Sequence, residues 1–129
     1  MCQRLLVLST DETFQGPLAV AILSHMAADR CEVAMPGELL LHPLVSVVLE
    51  EIGINWIVPG RTSRSLPIDY VVTVSDNTYC PIIMRARTIH WRVRRPYVDG
   101  GVSIDALRQV RDQIVTHAKR FVWRELETA

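Results

Sequence analysis

The eight residues Ser9 to Gly16, Ser-Thr-Asp-Glu-Thr-Phe-Gln-Gly, are the stretch of this chain best suited by type and position to do chemistry. They join an apolar run, Leu5 to Ser9, to a helical pattern in which Pro17 suits the first turn. A polar loop so placed lines up backbone N–H groups at a helix N-terminus, the layout of an oxyanion cradle. Yet this loop holds two carboxylates, Asp11 and Glu12, and neither a cysteine nor an arginine. Ser9 is a weak candidate nucleophile, because its hydroxyl stays protonated at neutral pH and no base stands near it in sequence. The carboxylates suggest another use. Asp11 or Glu12 would accept loop N–H groups, or cap the helix from Pro17, and so supply the negative charge from within.

A second concentration of chemistry is Arg92, Arg94 and Arg95, with Arg85 and Arg87 close by in sequence. It reads either as a patch that docks an anion or a protein, or as a solvated loop balancing acidic segments. The three cysteines, Cys2, Cys31 and Cys80, are odd in number and show no CxxC spacing, so neither a zinc site nor a disulfide framework is expected. His42 and His90 are far apart and have no carboxylate–serine partner in view. No metal and no cofactor is expected.

These residues need elements to position them. "LLVLS" has the character of a strand buried on both faces. Leu18, Ala21, Ile22 and His25 follow a helical period to about Asp29, and "CEVAM" from Cys31 reads as a strand ended by Pro36-Gly37. His42 to Ile52 has Pro43 near its start and Gly53 after its end, which predicts a helix. Asp69 to Ser75 is the clearest strand, and "RTIHW" to Trp91 a further one. An irregular loop is expected over Arg92 to Gly101. Ser103 then caps a long amphipathic helix with Ile104, Leu107, Val110, Ile114, Ala118, Phe121 and Val122 on one stripe. On its other face Arg108, Arg111, Asp112, Lys119 and Arg120 are expected to be mostly solvated. Strand alternating with helix predicts an α/β three-layer sandwich, a parallel four-stranded sheet with helices on both faces. Ligands of such sheets bind beyond the carboxyl ends of the strands, where the Ser9–Gly16 loop, the residues after Ser75 and the Arg92–Gly101 loop should meet.

Composition sets outer bounds. With 129 residues, 49% hydrophobic and 22% charged, the chain fits one globular domain over 1–129. A formal net charge of zero gives no pull toward nucleic acid or an acidic membrane. No run approaches the roughly 18 apolar residues of a membrane helix. The N-terminus lacks a secretory leader pattern, and the cysteine usage suits a reduced, cytoplasmic setting.

An ordered series of landmarks resembles the low-molecular-weight tyrosine phosphatases, and most of all their thioredoxin-coupled arsenate reductase relatives. They are the strand–loop–helix opening, "HPLVSVVLEEIGI" from His42, "RTSRSL" from Arg61, "DYVVTVSDN" from Asp69, "CP" at Cys80, "HW" at His90, and the last helix from "VSIDALRQVRDQI". The resemblance implies a C-x5-R-S loop with a thiolate nucleophile, an arginine gripping the oxyanion, and an aspartate before proline as general acid. Here Ser9 stands at the nucleophile position, Gln15 at the arginine, Gly16 at the serine after it, Asp11 at a glycine, and Arg95 at the acid. Ser75 replaces the relay cysteine, and Cys80 matches only the third cysteine of some members. Losing a nucleophile typically costs on the order of 10⁴- to 10⁶-fold in rate. The expectation is a catalytically inactive protein of this fold, acting as a binding or regulatory module for a protein partner or small ligand. Its ligand-binding candidates are Thr10, Asp11, Glu12, Thr13, Phe14, Gly16, Arg92 and Arg94. Alternatives are a divergent enzyme using Ser9 or Cys80 with the Arg92–Arg95 cluster, and a sensor whose Asp11 and Glu12 contact a cation or neutral ligand. Trp123 near the end of the last helix suggests a homodimer surface.

Overall fold

The first apolar run is a central strand. β1 (Gln3–Ser9) pairs in parallel with β2 (Cys31–Ala34) on one side and β3 (Tyr70–Ser75) on the other, and β4 (Arg87–Arg92) pairs in parallel with β3. The sheet order is therefore β2-β1-β3-β4. The computed structural model describes residues 3–11, 13–27, 30–35, 42–55, 68–76 and 86–126. Cys2, Glu12, the "RTSRSL" segment, Cys80 and Arg85 lie outside these, as do the end of "CEVAM" at Pro36-Gly37 and Asp29 at the foreseen end of the first helix. The expected α/β sandwich around a four-stranded parallel sheet is what the chain adopts. β3 is covered from both sides, with every residue from Val71 to Ser75 at most 2% exposed.

Leu5, Val7, Val72, Val74 and Trp91 join the core with three helices, α1 (Gln15–Met26), α2 (Pro43–Glu50) and α3 (Ile104–Phe121). α1 starts two residues before Pro17 and is buried over all of Gln15 to Leu23, not along one stripe. It is enclosed because it packs on the strands and on α3 at once. α2 is capped by His42, whose Nδ1 accepts from the Leu44 N–H at 3.1 Å, and Pro43 occupies the first turn. Just past its end, Gly53 takes φ 79°, the left-handed conformation that suits glycine.

α3 follows its apolar stripe, and the Ser103 Oγ accepts from the Ala106 N–H at 3.4 Å as a cap. Arg111 departs from the expected solvated face. It is buried, and its Nη1 donates to the Val48 carbonyl at 3.0 Å and to Glu51 Oε1 at 2.7 Å. The reason lies in packing that sequence spacing does not show. The last turn of α2, a negative dipole end whose Val48 carbonyl has no backbone donor among the described residues, abuts α3 at this point. Arg108 and, less strongly, Arg111 hold the Glu51 carboxyl below the usual carboxylate range, against the opposing effect of desolvation. Replacing Arg111 with alanine should destabilise the fold by about 1–3 kcal/mol, through the orphaned Val48 carbonyl. Chemical denaturation against wild type would measure this.

The segment expected to be an irregular loop contains a small hairpin. β5 (Tyr97–Val98) pairs antiparallel with β6 (Gly101–Val102), turning through Asp99 at φ 51° and Gly100 at φ 82°. Two successive positive φ angles mark the primed turn that Asp-Gly favours, and that dipeptide was the missed signal.

Candidate functional site

Three segments meet beyond the strand ends. Ser9 closes β1, Ser75 and Asp76 close β3, and the chain leaving β4 is tied to β3 by the Val93 N–H donating to the Ser75 carbonyl at 2.9 Å. Between them lies an open pocket of about 390 Å³ lined by Ser9, Thr10, Asp11, Thr13, Arg95 and Tyr97.

The loop at its base is closed on itself. Ser9 Oγ accepts from the Asp11 N–H at 3.1 Å and donates to the Asp11 carbonyl at 3.0 Å, so its hydroxyl serves the local backbone. The Asp11 carboxylate turns inward, with Oδ1 accepting from the Thr13 N–H at 3.0 Å and the Phe14 N–H at 3.1 Å. Only 9% of Asp11 is exposed. Its carboxylate therefore lies in the turn just ahead of α1, bound by two loop N–H groups and close to the positive end of the helix dipole. This is the internal anion that the loop's composition suggests. The turn is completed by the Gly16 N–H donating to the Asp11 carbonyl at 2.9 Å. A Cβ at Gly16 would come within 2.9 Å of Met35 Sδ and 3.3 Å of the Asp11 carbonyl, so glycine suits this close approach.

Gln15 is wholly buried and reaches away from the pocket. Its Nε2 donates to the carbonyls of Val93 at 3.0 Å and Arg94 at 2.8 Å, fixing the loop after β4 to the start of α1. Phe14 is also buried, its ring 4.9 Å from that of His42 and 5.9 Å, edge-on, from that of Tyr97. Of the described arginines of the cluster, only Arg95 lines the pocket, and its Nε bonds to Asp76 Oδ2 at 2.9 Å. Arg92 and Arg94 have exposed side chains away from the lining, and their backbones are engaged by His117 at 3.3 Å and by Gln15 and Gln113.

Two site residues escaped the reading of the sequence. Asp76 follows β3 directly, at the strand end where such sheets place their sites, and Tyr97 follows Pro96. Partial burial pushes the Tyr97 phenol above its ordinary pKa, and the Asp11 carboxylate pushes it further in the same direction. Among the described residues, no group of three or more His, Cys, Asp or Glu is arranged to hold a metal. No helix among them is long and apolar enough to cross a membrane.

Beside the site, Trp91 is buried and stacks on His117 at 5.6 Å with 12° between the rings. Burial lowers the His117 pKa, opposed by the bond to the Arg92 carbonyl and assisted by Arg120 and His90. A base with a depressed folded-state pKa binds protons more readily once unfolded. Stability should therefore be complete above the unfolded value near 6.5 and fall as pH drops from there through the folded pKa. Denaturation between pH 7.5 and 5 should show this slope, and His117→Gln should flatten it.

A parallel β2-β1-β3-β4 sheet whose first strand feeds a cradle loop at a helix N-terminus is the fold of the arsenate reductases and low-molecular-weight tyrosine phosphatases. The thioredoxin-dependent arsenate reductase of Corynebacterium glutamicum is similar over 98% of this chain, at 24% identity and a TM-score of 0.67, and this chain spans 63% of that one. The arsenate reductase of Archaeoglobus fulgidus shows 20% identity and a TM-score of 0.68, covering 93% of this chain and 99% of its own. A low-molecular-weight phosphotyrosine phosphatase of Vibrio cholerae shows 15% and 0.68, covering 95% and 97%. No protein-family model and no curated protein matches the sequence. At these identities the likeness establishes the fold.

Proposed function

We propose that this chain uses the arsenate reductase and phosphatase fold without its chemistry, as a non-catalytic module that acts by binding a protein partner or a small ligand. One observation carries the reading. The Asp11 carboxylate holds the two N–H groups at the mouth of α1 that an oxyanion would need. An incoming dianion would meet that charge, and even a screened pair of like charges at about 4 Å costs about 1 kcal/mol or more. The other roles are vacated in keeping with this. Ser9 is bonded to its own loop, Gln15 is turned to two carbonyls, and Arg95, which the resemblance puts at the acid position, is paired with Asp76.

The test is turnover of an aryl phosphate and thioredoxin-coupled reduction of arsenate by the purified chain, beside calorimetric titration with phosphate, arsenate and sulfate. The expected result is no turnover above buffer and no saturable heat at millimolar anion. Turnover that disappears in Ser9→Ala would overturn the reading.

A further inference from the structure

Three buried side-chain atoms among the described residues lack a hydrogen-bond partner: Asp11 Oδ2, Gln15 Oε1 and His90 Nε2. Of these only Asp11 Oδ2 belongs to a residue that lines the pocket, and it accepts and cannot donate. A cradle for an oxyanion offers donors to its ligand. This one has turned two donors inward, onto Asp11 Oδ1, and retains one acceptor, Oδ2. Asp11 lines the pocket and is nine-tenths buried; the Tyr97 hydroxyl lies close to its carboxylate, yet Oδ2 completes no well-formed hydrogen bond. A buried charged acceptor left unmade is costly, so a donor brought to it is strongly favoured.

The pocket's own cation does not supply that donor. Arg95 lines the same cavity, but its guanidinium is engaged by Asp76 at 2.9 Å. Tyr97 stands at the rim, 47% exposed, with a ring face that attracts cations. A bare metal ion would ask for several converging ligands, and among the described residues no three His, Cys, Asp or Glu side chains converge. A cavity of about 390 Å³ has room for a cationic group on a short chain.

We propose that the altered cradle is a recognition site for a hydrogen-bond-donating organic cation, an alkylammonium or guanidinium group, held by Asp11 Oδ2 with the Tyr97 ring beside it. The inference rests on the non-catalytic reading above, because Asp11 occupies the cradle in both. Oδ2 is shielded from water, so a bound cation takes the place of the Tyr97 hydroxyl beside the Asp11 carboxylate.

The experiment is calorimetric titration of the full chain with n-butylammonium, methylguanidinium and a blocked Gly-Arg-Gly peptide, with urea as the neutral control. Asp11→Asn keeps Oδ1 for the Thr13 and Phe14 N–H groups and places an amide donor where Oδ2 stands. Saturable binding of a cation, absent for urea and weakened roughly 10- to 100-fold in Asp11→Asn, is expected. Tyr97→Ala should weaken it several-fold and serves if the Asn variant fails to fold. A peptide that binds more tightly than methylguanidinium assigns the site to a partner protein's side chain, and equal binding assigns it to a free small cation. No saturable binding to wild type, or binding unchanged in Asp11→Asn and Tyr97→Ala, overturns the inference. Running the turnover assays on the same sample separates the two readings. Turnover removes the non-catalytic one, whereas silence in both experiments removes this inference alone.

Discussion

Replacing Asp11 with alanine should both destabilise the protein and make its stability respond to phosphate. The carboxylate accepts from the Thr13 and Phe14 N–H groups in the turn just ahead of α1, a bond set comparable in strength to a helix cap. Removing such a cap costs about 1–2 kcal/mol, which in a domain of this size lowers Tm by roughly 3–10 °C. The same substitution exposes two unpaired donors at a helix N-terminus, beside Arg95, with the repelling charge gone. Phosphate or sulfate should then bind there. At ten times its dissociation constant the anion would return about 1.4 kcal/mol. Wild type, whose cradle is already filled, should show no specific Tm rise with either anion beyond the general effect of salt. Thermal scans of both proteins against phosphate, with chloride at matched ionic strength, make the measurement. An Asp11→Ala protein whose Tm stays flat in phosphate would mean that the loop no longer forms an anion nest once the carboxylate is removed.

Gln15→Met should be the more damaging change, although it is nearly isosteric. Gln15 is fully buried and its amide satisfies two carbonyls, Val93 and Arg94, nearly eighty residues away in sequence. Methionine fills the space but donates nothing, so two carbonyls lose their partner. With a typical penalty of about 1–2 kcal/mol for each, the loss is about 2–4 kcal/mol. The effect should also be local. The segment from Val93 to Pro96 joins β4 to the hairpin that carries Tyr97, and Gln15 is its link to α1. Hydrogen exchange at the Arg94 amide, which donates to Gln113 Oε1, should quicken well beyond what global destabilisation predicts. Comparison with a core variant of equal ΔΔG, such as Val48→Ala, separates the local effect from the global one. Exchange at Arg94 that merely tracks the control would show that Gln15 stabilises the fold without holding this loop.

Local sequence determined much of this molecule. The short apolar run "LLVLS" marked β1, the β-branched series "VVTV" marked β3, the 3.6-residue stripe marked α3, and Pro43 with Gly53 bounded α2, because each of these signals acts within a few residues. Alternation of strand and helix was enough for the parallel α/β class and for the meeting of three loops beyond the strand ends. The loop's own residues also raised the expectation of an internal carboxylate acceptor, and Asp11 Oδ1 accepts two of the loop N–H groups. What chain-neighbour logic did not reach were the partners brought together by the fold. Arg111 belongs by spacing to a solvated face, yet it is buried because the carbonyl end of α2 lies against it, sixty-three residues away. The Asp99-Gly100 hairpin was a local signal left unread, and it is what sets Tyr97 at the rim. Gln15 reads in isolation as a weakened arginine, and only the packed loop turns it into a strut. Asp11 could have pointed to water as easily as inward by its type alone. Which way its carboxylate faces was decided by tertiary structure, because the packed turn ahead of α1 brings the Thr13 and Phe14 N–H groups to it and encloses the carboxylate there.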